Sequence, residues 1–519
     1  MLRRLGGRTL TGRAFWLRLS RGSGIDWRFH VRFIKNQNKM SCNMNFRCHS
    51  SRWEEWPSVA MGGHVRMEMA VRRVLIANRG EIALRAIRTC RRLGLESVSV
   101  YSSADGNSPH RWAADQAVCI GPPPPKASYL NAAALIEVSS ALKCDAVYPG
   151  YGFLAEDSAF AALCAEAGLT FIGPQPETIA QMGDKVAARQ TAESLGIPVV
   201  PGSQAGFTSA AEAETCAGDI GFPLLLKASA GGGGRGMRVV ENAEAFAALF
   251  DQATAEAEAA FGRSEVYLER FFPQVRHIEI QVFGDTHGNT VQLGERDCSV
   301  QRRHQKLIEE APSPVLDKVA RRHMADASTT LIRALNYVNA GTVEFIYDVA
   351  SGKFFFIEMN TRIQVENPVT EMVTGNDLVA EQFRVARGER LSLVPATDNA
   401  PTAIEFRINA EDAAHDFRPS PGILRRWRPP SGRDIRLDSH VYENYVVPPY
   451  YDSMLAKLIV TGRDRAAAIE QARSVLTRFD VSGIATTVPF HAELVQRPEF
   501  ARAEVHTRWV ENEFRTAVH

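Results

Sequence analysis

Residues 341–370 read GTVEFIYDVASGKFFFIEMNTRIQVENPVT, two short extended runs that carry Glu344, Glu358, Asn360, Arg362, Gln364 and Glu366 among Phe, Ile and Val. From Glu358 to Glu366 the polar residues fall at every second position, with Met359, Thr361, Ile363 and Val365 between them. An extended strand turns alternate side chains to opposite faces, so the five polar groups are expected to share one surface. Residues 342–347 are joined to this run by Asp348-Val349-Ala350-Ser351-Gly352-Lys353, a loop with the glycine expected of a hairpin. Glu344 and Glu358 are therefore expected to face each other on neighbouring antiparallel strands. Two carboxylates and an amide, with an arginine two residues on, offer the oxygen ligands that Mg²⁺ or Mn²⁺ takes, with substrate phosphates as further ligands. A solvated strand face with cross-strand ion pairs gives the same pattern, and alternation alone does not choose between the two.

A chain of 519 residues should hold roughly three or four domains, and 45% hydrophobic with 23% charged residues is ordinary for a globular protein. No apolar run approaches the roughly 18 residues of a membrane helix. The eight cysteines form no CxxC pair, and Cys42, Cys48 and His49 lack a second ligand pair for zinc, so free thiols in a reducing compartment are expected. The net charge of +1 hides a split: residues 1–66 hold 13 Lys+Arg against 3 Asp+Glu, and the rest 47 against 56. This basic leader, with four of the seven tryptophans, reads as aperiodic and is expected to be disordered over residues 1–68. Three readings stand: an organellar targeting sequence, a basic arm for nucleic acid or membrane, or an over-extended reading frame whose natural start is Met69.

From Arg73 an α/β pattern begins: Val74-Leu75-Ile76-Ala77 as a strand, a turn, a helix over 82–93 stopped by Gly94, and a strand over 97–101. It lacks GxGxxG, so no dinucleotide site is indicated. The stretch YPGYGFLAED, residues 148–157, opens from a strand end and is either a ligand edge or a structural turn. Further on, residues 223–230 run as a strand into Gly231-Gly232-Gly233-Gly234-Arg235-Gly236, and a strand follows at 238–240. Bare backbone amides approach phosphate oxygens closely, so the run resembles a hinged cover over a polyphosphate. It is not a Walker A loop, because the lysine precedes the glycines; Lys185 and Lys227 nearby favour a nucleotide over a plain flexible loop. His277, Glu279 and Gln281 alternate along the next strand, and residues 295–306 are charged almost throughout. Glu295, Asp297, Glu309 and Glu310 cancel the field of the basic run at 302–306, so a site for small anions fits better than nucleic acid. Cys298 reads as packing before it reads as a nucleophile.

IANRGEIALRAIR, YPGYGFLAED, MGDK at residues 182–185, KASAGGGGRGM, RDCSVQRRHQK, FIEMNTRIQVENPVTEM and RINAED followed by PSPG together resemble the biotin carboxylase family of the ATP-grasp superfamily, over roughly residues 70–515. The resemblance implies a mixed α/β and α+β architecture. An N-terminal parallel α/β domain would span 70–183, an ATP-grasp domain with a mobile glycine-rich lid (about 200–273) would span 184–390, and a C-terminal biotin carboxylase domain 400–515. The implied activity is that of an ATP-dependent ligase: carboxylation of biotin on a separate carrier protein with bicarbonate, through carboxyphosphate, as the first half-reaction of acetyl-CoA or related acyl-CoA carboxylation. Lys185, Lys227, the lid glycines Gly232, Gly233 and Gly234, and His304 would hold ATP phosphates. Glu269 and Phe272 would meet the adenine, and His277, Glu279 and Gln301 would complete the pocket. Glu344 and Glu358, with Asn360, would bind two Mg²⁺ or Mn²⁺ ions. Lys306, Arg362, Gln364, Val365 and Glu366 fall where the family binds bicarbonate, with Glu366 as general base, and Arg407 where it binds biotin.

Three positions depart from the family pattern: Asn367 where His is usual, Ala230 where Gly is common, and Phe406 where many relatives have Cys. On an alternating strand Asn367 would point away from Glu366, and Phe406 would be a core change. The sequence shows no AMKM-like biotinylation segment and no carboxyltransferase region, so the expected partners are a biotin carboxyl carrier protein and carboxyltransferase subunits, with a homodimer, no nucleic acid, no membrane and a cytoplasmic location; an organellar one follows if the leader is a targeting peptide. The alternatives are another ATP-grasp ligase joining a carboxylate to an amine, or a catalytically silent carrier-binding subunit.

Overall fold

Trp27, Phe29, Val31 and Phe33 alternate with Arg28, His30 and Arg32, a period of two that suits a strand. The computed structural model describes residues 14–19, 27–36 and 39–47 as backbone strands, residue 261 as helical backbone, and residues 71–228, 237–260, 262–395, 397 and 400–514 in full. Strand β2 (Trp27–Asn36) lies between β1 (Ala14–Leu19) and β3 (Lys39–Arg47) in an antiparallel sheet, Val31 in register with both Phe15 and Met44. Contrary to the expectation above, the leader is therefore not aperiodic: Met40, Cys42, Met44 and Phe46 alternate in the same way with Ser41, Asn43, Asn45 and Arg47. Residues 1–67 and 68–519 are separate compact units. The second holds every strand and helix from Arg73 onward.

Its first layer is parallel: β4 (Arg73–Ile76), helix α1 (Gly80–Leu93), β5 (Glu96–Tyr101), β6 (Gln116–Cys119), β7 (Ala146–Tyr148) and β8 (Thr170–Phe171), with strand order β6-β5-β4-β7-β8. The apolar continuity of Val74, Leu75 and Ile76 follows from burial on both faces. Helix α1 buries Ile82, Ala83, Ala86, Ile87 and Cys90. It ends at Gly94, whose φ of 68° is the left-handed cap that glycine adopts without a Cβ penalty. The order reverses between β4 and β7, and open α/β sheets form their ligand crevice at the carboxyl ends of such strands. There Asn78 donates to the carbonyls of Pro149 (2.7 Å) and Tyr151 (2.8 Å), tying the two loops together.

Helix α2 (Lys185–Ser194) leads to a small unit with its own core of Leu224, Leu226, Phe250, Val266 and Leu268. In it β9 (Leu224–Ala228), β10 (Met237–Val240) and β11 (Val266–Arg270) form an antiparallel sheet, order β10-β9-β11, covered by helices α3 (Ala210–Ile220) and α4 (Phe246–Phe261). The glycine run with Gly232, Gly233 and Gly234 joins β9 to β10 and lies outside the described residues, as does Ala230.

The main sheet is antiparallel. Among the described residues it contains β12 (Arg276–Gly284), β13 (Thr290–Arg302), β14 (Gln305–Ala311), β15 (Asn339–Asp348), β16 (Lys353–Asn360), β17 (Thr402–Asn409), β18 (Ile435–Ser439) and β19 (Met454–Gly462), in the order β16-β15-β12-β13-β14-β17-β19-β18. Helix α5 (Lys318–Ala334) packs on β12 and β13, burying Met324, Leu331 and Ile332. Helix α6 (Asn367–Thr374) follows β16, and α7 (Arg465–Thr477) packs on β17 and β19 over a core that includes Phe406 and Trp509. Phe406 is fully buried, as a core substitution requires. Among the described residues no helix is long and apolar enough to cross a membrane.

The strand expected to run from Glu358 to Glu366 stops at Asn360. The Thr361 amide turns to Glu156 (3.1 Å) instead of a ladder partner, and Pro368, in the first turn of α6, fixes the helical start that Asn367 opens. Alternation therefore does not set the directions of Arg362, Gln364 and Glu366.

Candidate active site

The register aligns charge across four strands, Glu358 opposite Glu344, Glu344 opposite Glu279, and Glu279 opposite Arg296. The cross-strand pairing expected of Glu344 and Glu358 is present. Gln301 on β13 stands opposite Lys306 on β14, and the turn between these strands holds Arg303 and His304 at positive φ. Antiparallel pairing of strands distant in sequence thus gathers one polar face.

Lys306 is its hub. Its ammonium donates to Glu279 (2.5 Å), Glu366 (2.7 Å) and Glu344 (3.0 Å). Arg407, on β17, bridges Glu309 (2.6 Å) and Glu366 (2.9 Å). Arg362 donates to Glu156 (2.7 Å), Gln364 (2.7 Å) and Asn360 (2.9 Å), and Gln364 in turn donates to Glu344 (3.0 Å). His277 Nε2 lies 3.2 Å from Glu344 Oε2. At the other end of the cavity Lys227 pairs with Glu269, Lys185 lies 4.0 Å from Glu358, and Phe272 stacks on Phe355 with centroids 5.2 Å apart.

These side chains surround one cavity of about 1130 Å³. Of the residues expected at the site, Lys185, Lys227, Glu269, Phe272, His277, Gln301, His304, Lys306, Glu344, Glu358, Asn360, Arg362, Gln364, Val365 and Arg407 line it. Glu279 and Glu366 stand behind the wall, both fully buried, and meet the cavity through Lys306 and Arg407. Sequence reasoning missed Glu309, read only as a flanking charge, and Lys457. Glu156 lay inside the flagged 148–157 stretch but carried no assignment.

Burial resists ionisation of Glu366, yet Lys306, Arg407 and Arg296 outweigh it and hold the carboxyl well below its ordinary value. Glu344 is likewise lowered, burial being overcome by Lys306 and His277. Glu279 goes the other way, raised by burial and by Glu366 against Arg296. Glu309 is pushed up to about 7 by burial, which Arg407 only partly offsets. Burial and neighbouring Glu344 also raise Glu358. Cys298 lies beside Glu279 and Glu366, and burial pushes its thiol well up, which leaves it protonated and packed.

Among the described residues, two groups of potential ligands, His277-Glu279-Glu344 and Glu279-Cys298-Glu366, have donor atoms within 4.8 Å of one another. Lys306 already contacts the carboxylates of both, so an ammonium compensates them. Glu344 and Glu358 with Asn360 offer oxygen donors only, and all three residues line the cavity; Lys306 holds Glu344 (3.0 Å) and Arg362 donates to the Asn360 oxygen (2.9 Å), while Glu358, raised by burial and by Glu344, has Lys185 no nearer than 4.0 Å. That set fits a hard divalent cation beside an anionic ligand.

The comparisons with known proteins agree with this geometry. Residues 70–179 match the family model for the biotin carboxylase N-terminal domain, 184–394 the ATP-binding domain of the carbamoyl-phosphate synthase L chain, and 405–512 the biotin carboxylase C-terminal domain. The chain is 50% identical over 442 residues to a biotin carboxylase of Nostoc sp., covering 85% of this chain and 98% of that one. It is 49% identical over 442 residues to biotin carboxylase 1 of Bacillus subtilis, again covering 85% and 98%. Among solved structures, a Campylobacter jejuni biotin carboxylase complex with β,γ-ATP superposes with a TM-score of 0.81 at 44% identity, covering 85% of this chain and 98% of that chain. The biotin carboxylase domain dimer of Hydrogenobacter thermophilus 2-oxoglutarate carboxylase, holding MgADP, ADP and bicarbonate, gives 0.82 at 44%, covering 85% and 97%. A three-part ligase architecture and a cavity shared by lysines, arginines and carboxylates define an ATP-using enzyme. The chain belongs to the biotin carboxylase family.

Proposed function

We propose that the cavity carries out the ATP-dependent carboxylation of biotin with bicarbonate, and that its residues divide the work by position. The observation that carries this reading is Lys306, one ammonium held by Glu279, Glu344 and Glu366 beside Arg407, in a cavity also lined by Lys185, Lys227 and His304. Such a site suits several anions at once.

Lys185, Lys227 and His304, with Gly232, Gly233 and Gly234 of the lid, hold the ATP phosphates; Glu269, Phe272, His277 and Gln301 complete the nucleotide pocket, and Glu279, behind the wall, supports it through Lys306. Glu344, Glu358 and Asn360 hold Mg²⁺ or Mn²⁺, which when bound neutralises phosphate charge. Arg362, Gln364, Val365 and Lys306 orient bicarbonate, since phosphoryl transfer needs alignment and neutralisation more than covalent help. Glu366 takes the bicarbonate proton as an oxygen attacks the γ-phosphorus and ADP leaves. Its carboxyl is ionised at neutral pH, and its basicity rises as Lys306 and Arg407 turn from it toward the incoming anions. Carboxyphosphate then yields CO₂ and phosphate; the phosphate accepts the ureido N–H proton of biotin, Arg407 stabilises the enolate-like oxygen, and the ureido nitrogen attacks CO₂ to give N-carboxybiotin.

The division into domains at 70–183, 184–390 and 400–515, with a lid over about 200–273, is part of the same proposal. So are a biotin-bearing carrier and carboxyltransferase subunits as partners, and a homodimer, for which the Hydrogenobacter domain dimer is the precedent. The test is biotin-dependent ATP hydrolysis in bicarbonate by the full chain and by Glu366→Gln. The expected result is turnover that falls about 10²-fold or more in the variant, the usual scale of general-base catalysis. Absence of biotin-dependent turnover in the parent chain overturns the catalytic reading, and an unaffected variant overturns the assigned base.

A further inference from the structure

Lys457 is 1% exposed and stands directly opposite Arg407 on the neighbouring strand. Like charges directly opposite across a strand pair repel, and a buried ammonium is costly unless it is paired and hydrogen-bonded. What the two cations hold accounts for the arrangement. Arg407 donates to the Glu366 carboxylate at 2.9 Å, while Lys457 donates to the Val365 carbonyl at 2.9 Å and pairs with Glu81 at 2.9 Å. The Val365 carbonyl and the Glu366 amide belong to one rigid peptide plane. Neighbouring strands therefore hold Glu366 at two points, one by its side chain and one by the peptide from which it starts.

This grip has work to do because the ladder ends at Asn360. From there to α6 the segment is oriented by side chains: Arg362 on Gln364, Asn367 on the Gln364 carbonyl (2.8 Å), and Lys457 on the Val365 carbonyl. Other groups around the ammonium keep it charged and in place. Asp438 is its partner in register on β18, Glu405 is buried two residues before Arg407, and the Tyr151 ring centroid lies 5.9 Å away. The Tyr151 hydroxyl donates to the same Glu81 oxygen that Lys457 uses, and Tyr151 lines the cavity.

We propose that Lys457 is a positioning residue for the carboxylation: it fixes the Val365–Glu366 peptide so that the base points between Lys306 and Arg407, and it anchors that peptide to the first turn of α1 through Glu81. The proposal rests on Glu366 being the base. Steady-state kinetics of the full chain with ATP, bicarbonate and free biotin test it, with Lys457→Met, Lys457→Arg and Glu81→Gln beside the parent. A misplaced base slows the chemical step and leaves nucleotide binding alone. Lys457→Met is therefore expected to lower kcat about 10- to 100-fold, the scale on which a small misplacement acts, while KM for ATP stays within about twofold. Lys457→Arg, which keeps a charged donor, is expected to recover part of the loss. Full kcat in Lys457→Met, or a loss that merely tracks the fraction of chain able to bind an ATP analogue, overturns the proposal. If Lys457→Met does not fold, Glu81→Gln decides: it frees the ammonium to swing toward Asp438 or Glu405, so a lowered kcat at unchanged KM supports the role and unchanged kcat overturns it. Failure of the functional reading looks different, because the parent chain itself would then show no biotin-dependent turnover.

Discussion

At the scale of single residues the site is a balance of buried charges, and Lys306 is where that balance is most exposed to test. Three carboxylates within 3.0 Å of one ammonium are tolerable only because Arg296 and Arg407 bind Glu279 and Glu366 from their far sides. Removing the ammonium leaves buried negative charge without its main compensation, which ordinarily costs about 3–5 kcal/mol. Lys306→Met is accordingly expected to lower the urea midpoint of unfolding and to abolish biotin-dependent ATP hydrolysis. A midpoint equal to that of the parent shows the cluster to be compensated in some other way. Lys306, Glu344 and Arg407 were legible in the sequence because each sits in a dense motif. Lys457, Glu156 and Glu309 were not, because what defines them is a partner 92, 206 and 98 residues away. Periodicity and spacing carry no information about such pairs.

At the scale of elements, the hairpin of β15 and β16 was legible to the residue at Glu344 and Glu358, because a period of two and a glycine-bearing turn determine register. The same rule failed three residues after Glu358. Polar residues continue to alternate through Glu366, but the backbone leaves the sheet at Asn360 and is recaptured by α6. Asn367, expected to point away from the site on a strand, is the first residue of that helix and donates back to the Gln364 carbonyl at 2.8 Å. Asn367→Ala removes this bond and leaves the buried Gln364 carbonyl only the backbone amide of residue 367, at 3.4 Å, a loss of about 1 kcal/mol. The change is expected to lower the unfolding midpoint slightly and kcat several-fold, with KM for ATP unmoved. Kinetics identical to the parent would mean that Lys457, Arg362 and the cations on Glu366 suffice to orient residues 364–366 without Asn367.

At the scale of the whole molecule, the tripartite order could be read from the ordered motifs, whereas the order of the main sheet could not. Its central strands pair across the chain, β14 with β17 and β17 with β19, and no local pattern announces such partners. All described cavity residues lie between Asn78 and Arg508. Deleting residues 1–67 is therefore expected to leave kcat and the KM values for ATP, bicarbonate and biotin within about twofold; a larger change would give the basic leader a part in turnover.

A second whole-molecule property follows from how the first α/β layer meets the C-terminal region. Arg79 is bound to Asp105 by two hydrogen bonds of 2.8 Å and lies under the Tyr451 ring, and His110 and His440 are buried in the same neighbourhood. Burial, with repulsion from Arg79, keeps both rings neutral: His110 falls to about 4, where Asp105 partly opposes the shift, and His440 falls to about 3. In the unfolded chain each histidine titrates near 6.5. Below that pH the unfolded state binds protons that the folded state refuses, so stability is lost as pH falls from about 6.5 toward 4. The slope is at most ~1.4 kcal/mol per pH unit for each ring. Glu309 acts in the opposite direction. Its folded value of about 7 lies above its unfolded 4.5, so the folded state holds the extra proton between them and gains stability as pH falls through that window. A single stability profile mixes these contributions, but a comparison of variants separates them. His440→Gln keeps a neutral polar side chain of similar reach and removes one proton from the difference between the two states. The parent chain and His440→Gln are expected to diverge steadily in urea midpoint below pH 6.5, the variant losing less. Parallel profiles from pH 7 to 5 would mean that His440 takes up its proton in the folded chain and that the contact around Arg79 opens to admit it.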